Sequence, residues 1–328
     1  MSSAYEKIRN HAGLVDLKNW VRIEITGADA ATALDSVVGG NILDLFEGKA
    51  MNTLIPSLSG GVEAIVWILA IEAGFQIIAE PDEYAPVTAV LDELTQNFDI
   101  CVSNLQNNTF HLLVTGPEAE KIAIAALGDE VQSIAFLNAF ELADGVMAAR
   151  IGFFGEYELH LFGDASLQDS IIANLLSHGS SDIVTDDSAF PVMMAEMRIL
   201  NRARDVPEDA SVFDVGLQWM IDFQKDNLRA ADALANRRGE KANSCVLMVL
   251  DSKDVSAKTD ISVEGEVIGH VRSAYYSETL NNSVALVFLN RDLAVPGLVF
   301  ETSEGIAQTV SAPAFLSKSV LNALGQAA

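Results

Sequence analysis

Hydrophobic and polar positions alternate with period two over Val21-Arg22-Ile23-Glu24-Ile25, then give way past Thr26-Gly27 to the helical spacing of Ala33, Leu34, Val37 and Val38. The pattern predicts a strand, a turn and a helix. It returns at residues 110–119, where alternation stops at Thr115-Gly116-Pro117 and a helix continues through Ile122, Ile124, Ala125 and Leu127. This echo predicts paired split βαβ layers in an α+β body. Between the copies, Gly60-Gly61 opens an apolar run at 62–71 that reads as a central strand, and residues 75–79 read as a second. A helix follows over 84–98, with Val87, Val90, Leu91 and Leu94 on one face. Residues 50–107 are thus expected to form an inserted α+β domain within a discontinuous one made of 1–49 and 108–235.

The stretch 150–162 is a glycine-punctuated turn feeding an alternating strand, with Glu156 and Glu158 expected on one face. Two readings stand: an edge strand with an acidic solvent face, or a carboxylate that holds a ligand beside N–H donors. A helix over 167–176 leads to a Ser-, Asp- and Gly-rich surface loop at 177–187. Met193, Met194 and Met197 read as a flexible core stripe. Arg198, Arg202 and Arg204 form the densest basic cluster, suited to clamping a carboxylate or to pairing with local acids. A helix is expected around 230–234 and a charged linker at 236–243. Short strands at 246–250, 263–271, 284–289 and 298–301 predict a small antiparallel barrel or sandwich, making 244–328 an all-β domain.

At 328 residues and 50% hydrophobic content, the chain has material for two or three domains. Twenty Lys and Arg against 46 Asp and Glu give a net charge of −26, which repels phosphate backbones and anionic membranes; nucleic acid and membrane partners are excluded. Cys101 and Cys245 lie in apolar runs and read as buried reduced thiols. No metal-ligand spacing occurs, and the polar residues 1–10 contain no leader, so a cytoplasmic protein is expected. The P-loop, dinucleotide, GxSxG and HExxH patterns are all missing. His11, His111, His160, His178 and His270 are dispersed and read as packing or surface residues.

Several stretches together resemble the folate-dependent aminomethyltransferase family, that of the glycine-cleavage T-protein and the folate-dependent demethylases. They are His11-Ala12-Gly13-Leu14-Val15-Asp16-Leu17, Ile25-Thr26-Gly27-Ala28-Asp29-Ala30 and Thr115-Gly116-Pro117-Glu118-Ala119. Gly216-Leu217-Gln218-Trp219 with Asp222-Phe223 and Lys225, and the run 268–280, continue the series in order. The resemblance implies a three-lobed α+β cloverleaf, with two ferredoxin-like α+β domains and a C-terminal antiparallel β-barrel. Tetrahydrofolate is the implied cofactor. Residues 152–159 resemble the family's GYTGE.GyEl segment shortened by two residues, which assigns the pterin contact to Glu158 and leaves Glu156 as its neighbour. One carboxylate can accept two parallel N–H donors from an amino-pyrimidine edge.

Departures accompany the resemblance. Aligned without gaps, the family's catalytic aspartate falls on Ala64, with Glu63 beside it on the opposite strand face. The family tyrosine falls on Asn52 and an arginine on Met194, whereas Arg198 is retained. Trp219, Tyr275 and Tyr276 are cavity candidates, Tyr276 and Glu63 as catalytic ones. The implied function is tetrahydrofolate-dependent one-carbon transfer, a methyl transfer or demethylation on a small methylated donor. The alternatives are a degenerate folate-binding protein, the partner subunit of another enzyme, or a lobe that receives formaldehyde from a separate flavoprotein.

Overall fold

A computed structural model describes residues 3–142, 145–179, 183–184, 187–240 and 243–325 of the chain. Residues 180–182 and 185–186 of the expected loop, 241–242 of the expected linker, and 326–328 lie outside the described residues. Two sheets and a barrel make three lobes in a mixed α+β architecture.

The first lobe is a six-stranded sheet in the order Ile183–Val184, Gly13–Asp16, Thr109–Thr115, Glu158–Asp164, Met147–Ala149, Ala139–Glu141. Leu112, Val114, Leu159 and Leu161 point to one face, where Ala119 and Ile122 of helix Ala119–Leu127 and Leu175 of helix Gln168–Ser177 cover them. Side chains of period two then send His111, Leu113, Glu158, His160 and Phe162 to the other, inner face, where all are buried.

In the second lobe the order is Ala50–Pro56, Val62–Ile71, Gly74–Ala79, Val21–Thr26, Cys101–Asn104. Val21, Ile23, Ile25, Val66 and Ile68 bury against helices Ala30–Val37 and Tyr84–Thr95. Leu54, Trp67, Leu69 and Ile78 face the first lobe instead. Strand Val21–Thr26 pairs with both Gly74–Ala79 and Cys101–Asn104, so this lobe begins near residue 21 and not at the expected 50. Alternation marks a strand's faces but not its neighbours, which is why the boundary was misplaced. Cys101, expected to be buried, is exposed on the outermost strand.

The third lobe is a closed six-stranded barrel of Asn243–Leu250, Asn282–Asn290, Glu266–Ser277, Asp260–Val263, Val299–Thr302 and Gly305–Val310. Closure leaves no sheet edge exposed. The single strand expected at 263–271 is a hairpin, because Glu264 and Gly265 both take positive φ between its two strands. Helix Phe190–Met197 buries Met193 and Met194 in the core as expected, leaves Met197 half-buried outside that core, and lies against the barrel. The lobes meet in one cluster that includes Trp20, Trp67, Phe153, Phe154, Met194, Leu217, Leu247 and Val284.

Candidate functional site

Glu158 opens its strand at the point where the three lobes converge. The strand pairs on both sides, with Thr109–Thr115 and Met147–Ala149, so the acidic edge-strand reading fails. Glu158 is 3% exposed. Its Oε1 accepts the N–H of Phe153 at 2.9 Å and of Phe154 at 2.7 Å, and Oε2 accepts Phe153 N–H at 2.9 Å. Burial pushes its carboxyl up to about 8, against the opposing pull of the Phe154 and Phe153 N–H groups. Gly152 is required here: a Cβ on it would meet Glu158 Oε1 at 2.6 Å.

Glu156 does not share that face. It precedes the strand, and its buried carboxylate pairs with Arg9 at 2.8 Å and accepts from Ser319. The two glutamates therefore take different partners, Glu158 its own turn and Glu156 Arg9 and Ser319. Arg9 is itself buried; it also reaches Phe154 O at 2.7 Å and Glu196 at 2.6 Å. Glu196 further accepts Tyr5 and Ser277 hydroxyls, both at 2.6 Å.

Aromatic rings fill the space beside Glu158. Phe153, 7% exposed, stands between Trp20 at 5.3 Å and Trp67 at 5.7 Å, and Phe154 meets Phe190 at 4.5 Å. Behind them His111 and His160 share a hydrogen bond of 2.9 Å. Burial drives His160 down to about 3 and His111 well below its ordinary value, so both are neutral. Trp67 Nε1, Thr115 Oγ1, His111 Nδ1 and His160 Nε2 are buried without a hydrogen-bond partner.

The remaining expected residues are dispersed. Ala64 is fully buried in the helix-facing core of the second lobe, away from Glu158. Glu63 is the extra residue of a bulge, since Pro56 pairs with Val62 and Ile55 with Ala64. Asn52 sits opposite Trp67 and donates to Val66 O at 3.3 Å. Arg198, left-handed with φ 57°, donates to Val215 O at 3.1 Å and Cys245 O at 2.8 Å, tying the helix end to the barrel. Gly216 makes room for that guanidinium. Trp219 is 64% exposed, outside the centre. Tyr276 turns outward to Asn281 at 2.7 Å. Tyr275 is half-buried at the edge of the central cluster, its phenol pushed up by burial and by Asp205.

Met194 sits in the core, and Arg204 reaches its sulfur at 3.8 Å. Arg202 and Arg204 pair with Glu83 at 3.0 Å and Glu80 at 3.6 Å, so two of the three clustered arginines join lobes by ion pairs with acids remote in the chain, not with local ones. Sequence reasoning missed Arg9, Glu196, Trp20, Trp67 and the Phe153-Phe154 plug. The adjacent glycines at 152 and 155 were the visible signal for the last of these. Among the described residues no group of His, Cys, Asp or Glu could hold a metal, and no helix is long and apolar enough to cross a membrane.

Residues 1–225 match the family model described as the GCVT N-terminal domain, and 244–316 match the glycine cleavage T-protein C-terminal barrel domain. The chain belongs to the glycine-cleavage T-protein family. Similar relatives include the aminomethyltransferase of Thermotoga maritima, 23% identical over 89% of this chain and 83% of its own. That of Streptomyces avermitilis is 27% identical over 88% and 81%. The solved aminomethyltransferase T of the Bartonella henselae glycine cleavage system superposes with a TM-score of 0.86 at 19% identity, covering 95% of this chain and 89% of that one. The fold is therefore the T-protein fold.

The family implies tetrahydrofolate, and the centre tests that implication. A buried carboxyl among aromatic rings has the right chemistry for an amino-pyrimidine edge. The space does not match: Phe153 lies between Trp20 and Trp67, and Glu158 accepts the two N–H groups of its own turn. The residues as arranged do not fit a pterin.

Proposed function

We propose that this chain is a catalytically degenerate member of the T-protein family, acting by binding or as the partner subunit of another enzyme, and not as an aminomethyltransferase. The observation that carries this reading is the use of Glu158 by Phe153 and Phe154: the carboxyl that the resemblance assigns to a ligand is engaged by its own turn. The acid that would assist amine release has no counterpart, because Ala64 packs among apolar side chains. Incubation with tetrahydrofolate and small methylated donors, followed by folate product analysis and a calorimetric titration, tests the reading. It expects no methyl- or methylene-folate from the folded protein. Turnover with any donor overturns it.

A second reading, tetrahydrofolate-dependent methyl transfer, draws on one feature. Glu158 is retained at a buried position with its carboxyl pushed up to about 8, the kind of perturbed group that marks functional sites. Methyl transfer relies on positioning more than on an acid, so the loss at Ala64 is less damaging to it than to glycine cleavage. Product formation that is lost in Glu158→Ala supports this second reading.

A further inference from the structure

We propose that the chain carries a slot for a small phosphate monoester with an apolar body, set where helix Ala231–Arg237, the segment 213–223 and the end of a barrel strand meet. The slot lies apart from Glu158: Arg238, Arg291 and Phe223 stand outside the central cluster.

The partners of the arginines single the place out. Of eleven arginines in a chain of net charge −26, six pair with carboxylates: Arg9, Arg150, Arg202, Arg204, Arg229 and Arg237. Arg22, Arg198 and Arg272 donate to backbone carbonyls. Among the described residues only the side chains of Arg238 and Arg291 do neither, and both line one cavity of about 250 Å³. An acidic chain that leaves two guanidiniums unpaired at a single concavity presents that concavity to an anion. Arg238 follows helix Ala231–Arg237 and Arg291 follows barrel strand Asn282–Asn290, so the two forks come from different elements. A tetrahedral phosphoryl dianion has oxygens and charge for both, whereas a planar carboxylate engages one fork.

The walls set the body of the ligand. Phe213 and Phe223 stack with centroids 5.9 Å apart and planes 18° from parallel, and the Arg238 guanidinium lies 5.6 Å from the Phe223 centroid. Phe223 and Arg238 also line an adjoining cavity of about 450 Å³, whose walls include Leu228, Leu234 and Ala235. The shared ring joins the two cavities into one slot, with free cations at one end and apolar side chains at the other. Lys225, at the apolar end, is engaged by Asp35 at 3.0 Å. Asp222 and Asp232 line that end as well and repel a second anionic group there, so the slot favours a ligand charged at one end over a polyanion.

The test titrates the full chain calorimetrically with 1-naphthyl phosphate, 1-naphthoate, 1-naphthol and inorganic phosphate. Naphthyl phosphate is expected to bind at least about tenfold more tightly than each of the other three, and to weaken as salt is raised. Arg238→Gln and Arg291→Gln are each expected to weaken it by about tenfold, the loss of one charge-assisted contact. Phe223→Ala is expected to bring it down to the level of inorganic phosphate. All three side chains are exposed, so the variants are expected to fold, which circular dichroism checks. No binding by the parent chain, naphthoate or inorganic phosphate binding as tightly as the ester, or binding that survives Arg238→Gln combined with Arg291→Gln overturns the proposal.

Discussion

Arg9 and Glu196 lie 187 positions apart in the chain and meet at 2.6 Å in the interior. The same guanidinium pairs with Glu156, so a single cation from the first helix bridges two carboxylates with fully buried side chains. Removing one partner of such a group strands the others without water. Arg9→Met is therefore expected to lose about 3–5 kcal/mol of stability, measured by urea unfolding. Arg9→Met combined with Glu156→Gln and Glu196→Gln should recover part of that loss. A single variant within about 0.5 kcal/mol of the parent would sink the account.

Glu158 sets a pH dependence of definite sign. Burial pushes its carboxyl up to about 8, whereas the unfolded group titrates near 4.5. Between those values the folded chain keeps a proton that the unfolded chain has released, so rising pH favours unfolding. The contribution is whole below 4.5 and lost as pH climbs through 8. Glu83, pushed up to about 7 by burial, adds the same sign. Glu158→Gln is expected to match the parent near pH 5 and to exceed it at pH 8.5 by on the order of a few kcal/mol. Urea titrations at both pH values decide this, and parallel curves for the two proteins count against it.

What the sequence disclosed was local. The two strand-turn-helix units at Val21–Thr26 with Ala30–Val37, and Thr109–Thr115 with Ala119–Leu127, are written in periodicity and in Gly27 and Gly116. The barrel is similarly written in short strands. The junction was not legible, because its contacts are long-range: Arg9 reaches Glu156 across 147 positions, and nothing near either residue announces the pairing. Trp67 read as one more apolar residue of a central strand, and the meeting of its ring with Phe153 depends on two sheets facing one another. The resemblance singled out Glu158 from Glu156. Only the fold shows that the shortened turn folds back on Glu158 and that Trp219 stands outside.

The neutral histidine pair gives the opposite pH sign. His160 is driven down to about 3 and His111 well below its ordinary value, both chiefly by burial. The unfolded chain takes up protons below 6.5 that the folded chain refuses, so stability is full above that value and drains away as pH falls towards 3. Replacing both rings, His111→Leu with His160→Leu, removes a mutually bonded polar pair together. That change is expected to be nearly neutral at pH 7 and to flatten the loss between pH 6.5 and 4. Unfolding midpoints at pH 4 and pH 7 are the measurement, with an unaltered acid slope the unfavourable result.

Ala64→Asp tests whether the family's acid position survives in this register. Pro56 pairs with Val62 and Ile55 with Ala64, so Glu63 is the bulged residue and a one-residue shift decides which face each side chain takes. Ala64 lies on the helix-facing side with Val66 and Ile68, fully buried. An aspartate there enters a core of apolar side chains. The expected result is a loss of about 3 kcal/mol or more in urea unfolding, with no folate product formed from methylated donors. A stable, folded Ala64→Asp protein that forms folate product would place residue 64 on the junction and return the chain to the transferases.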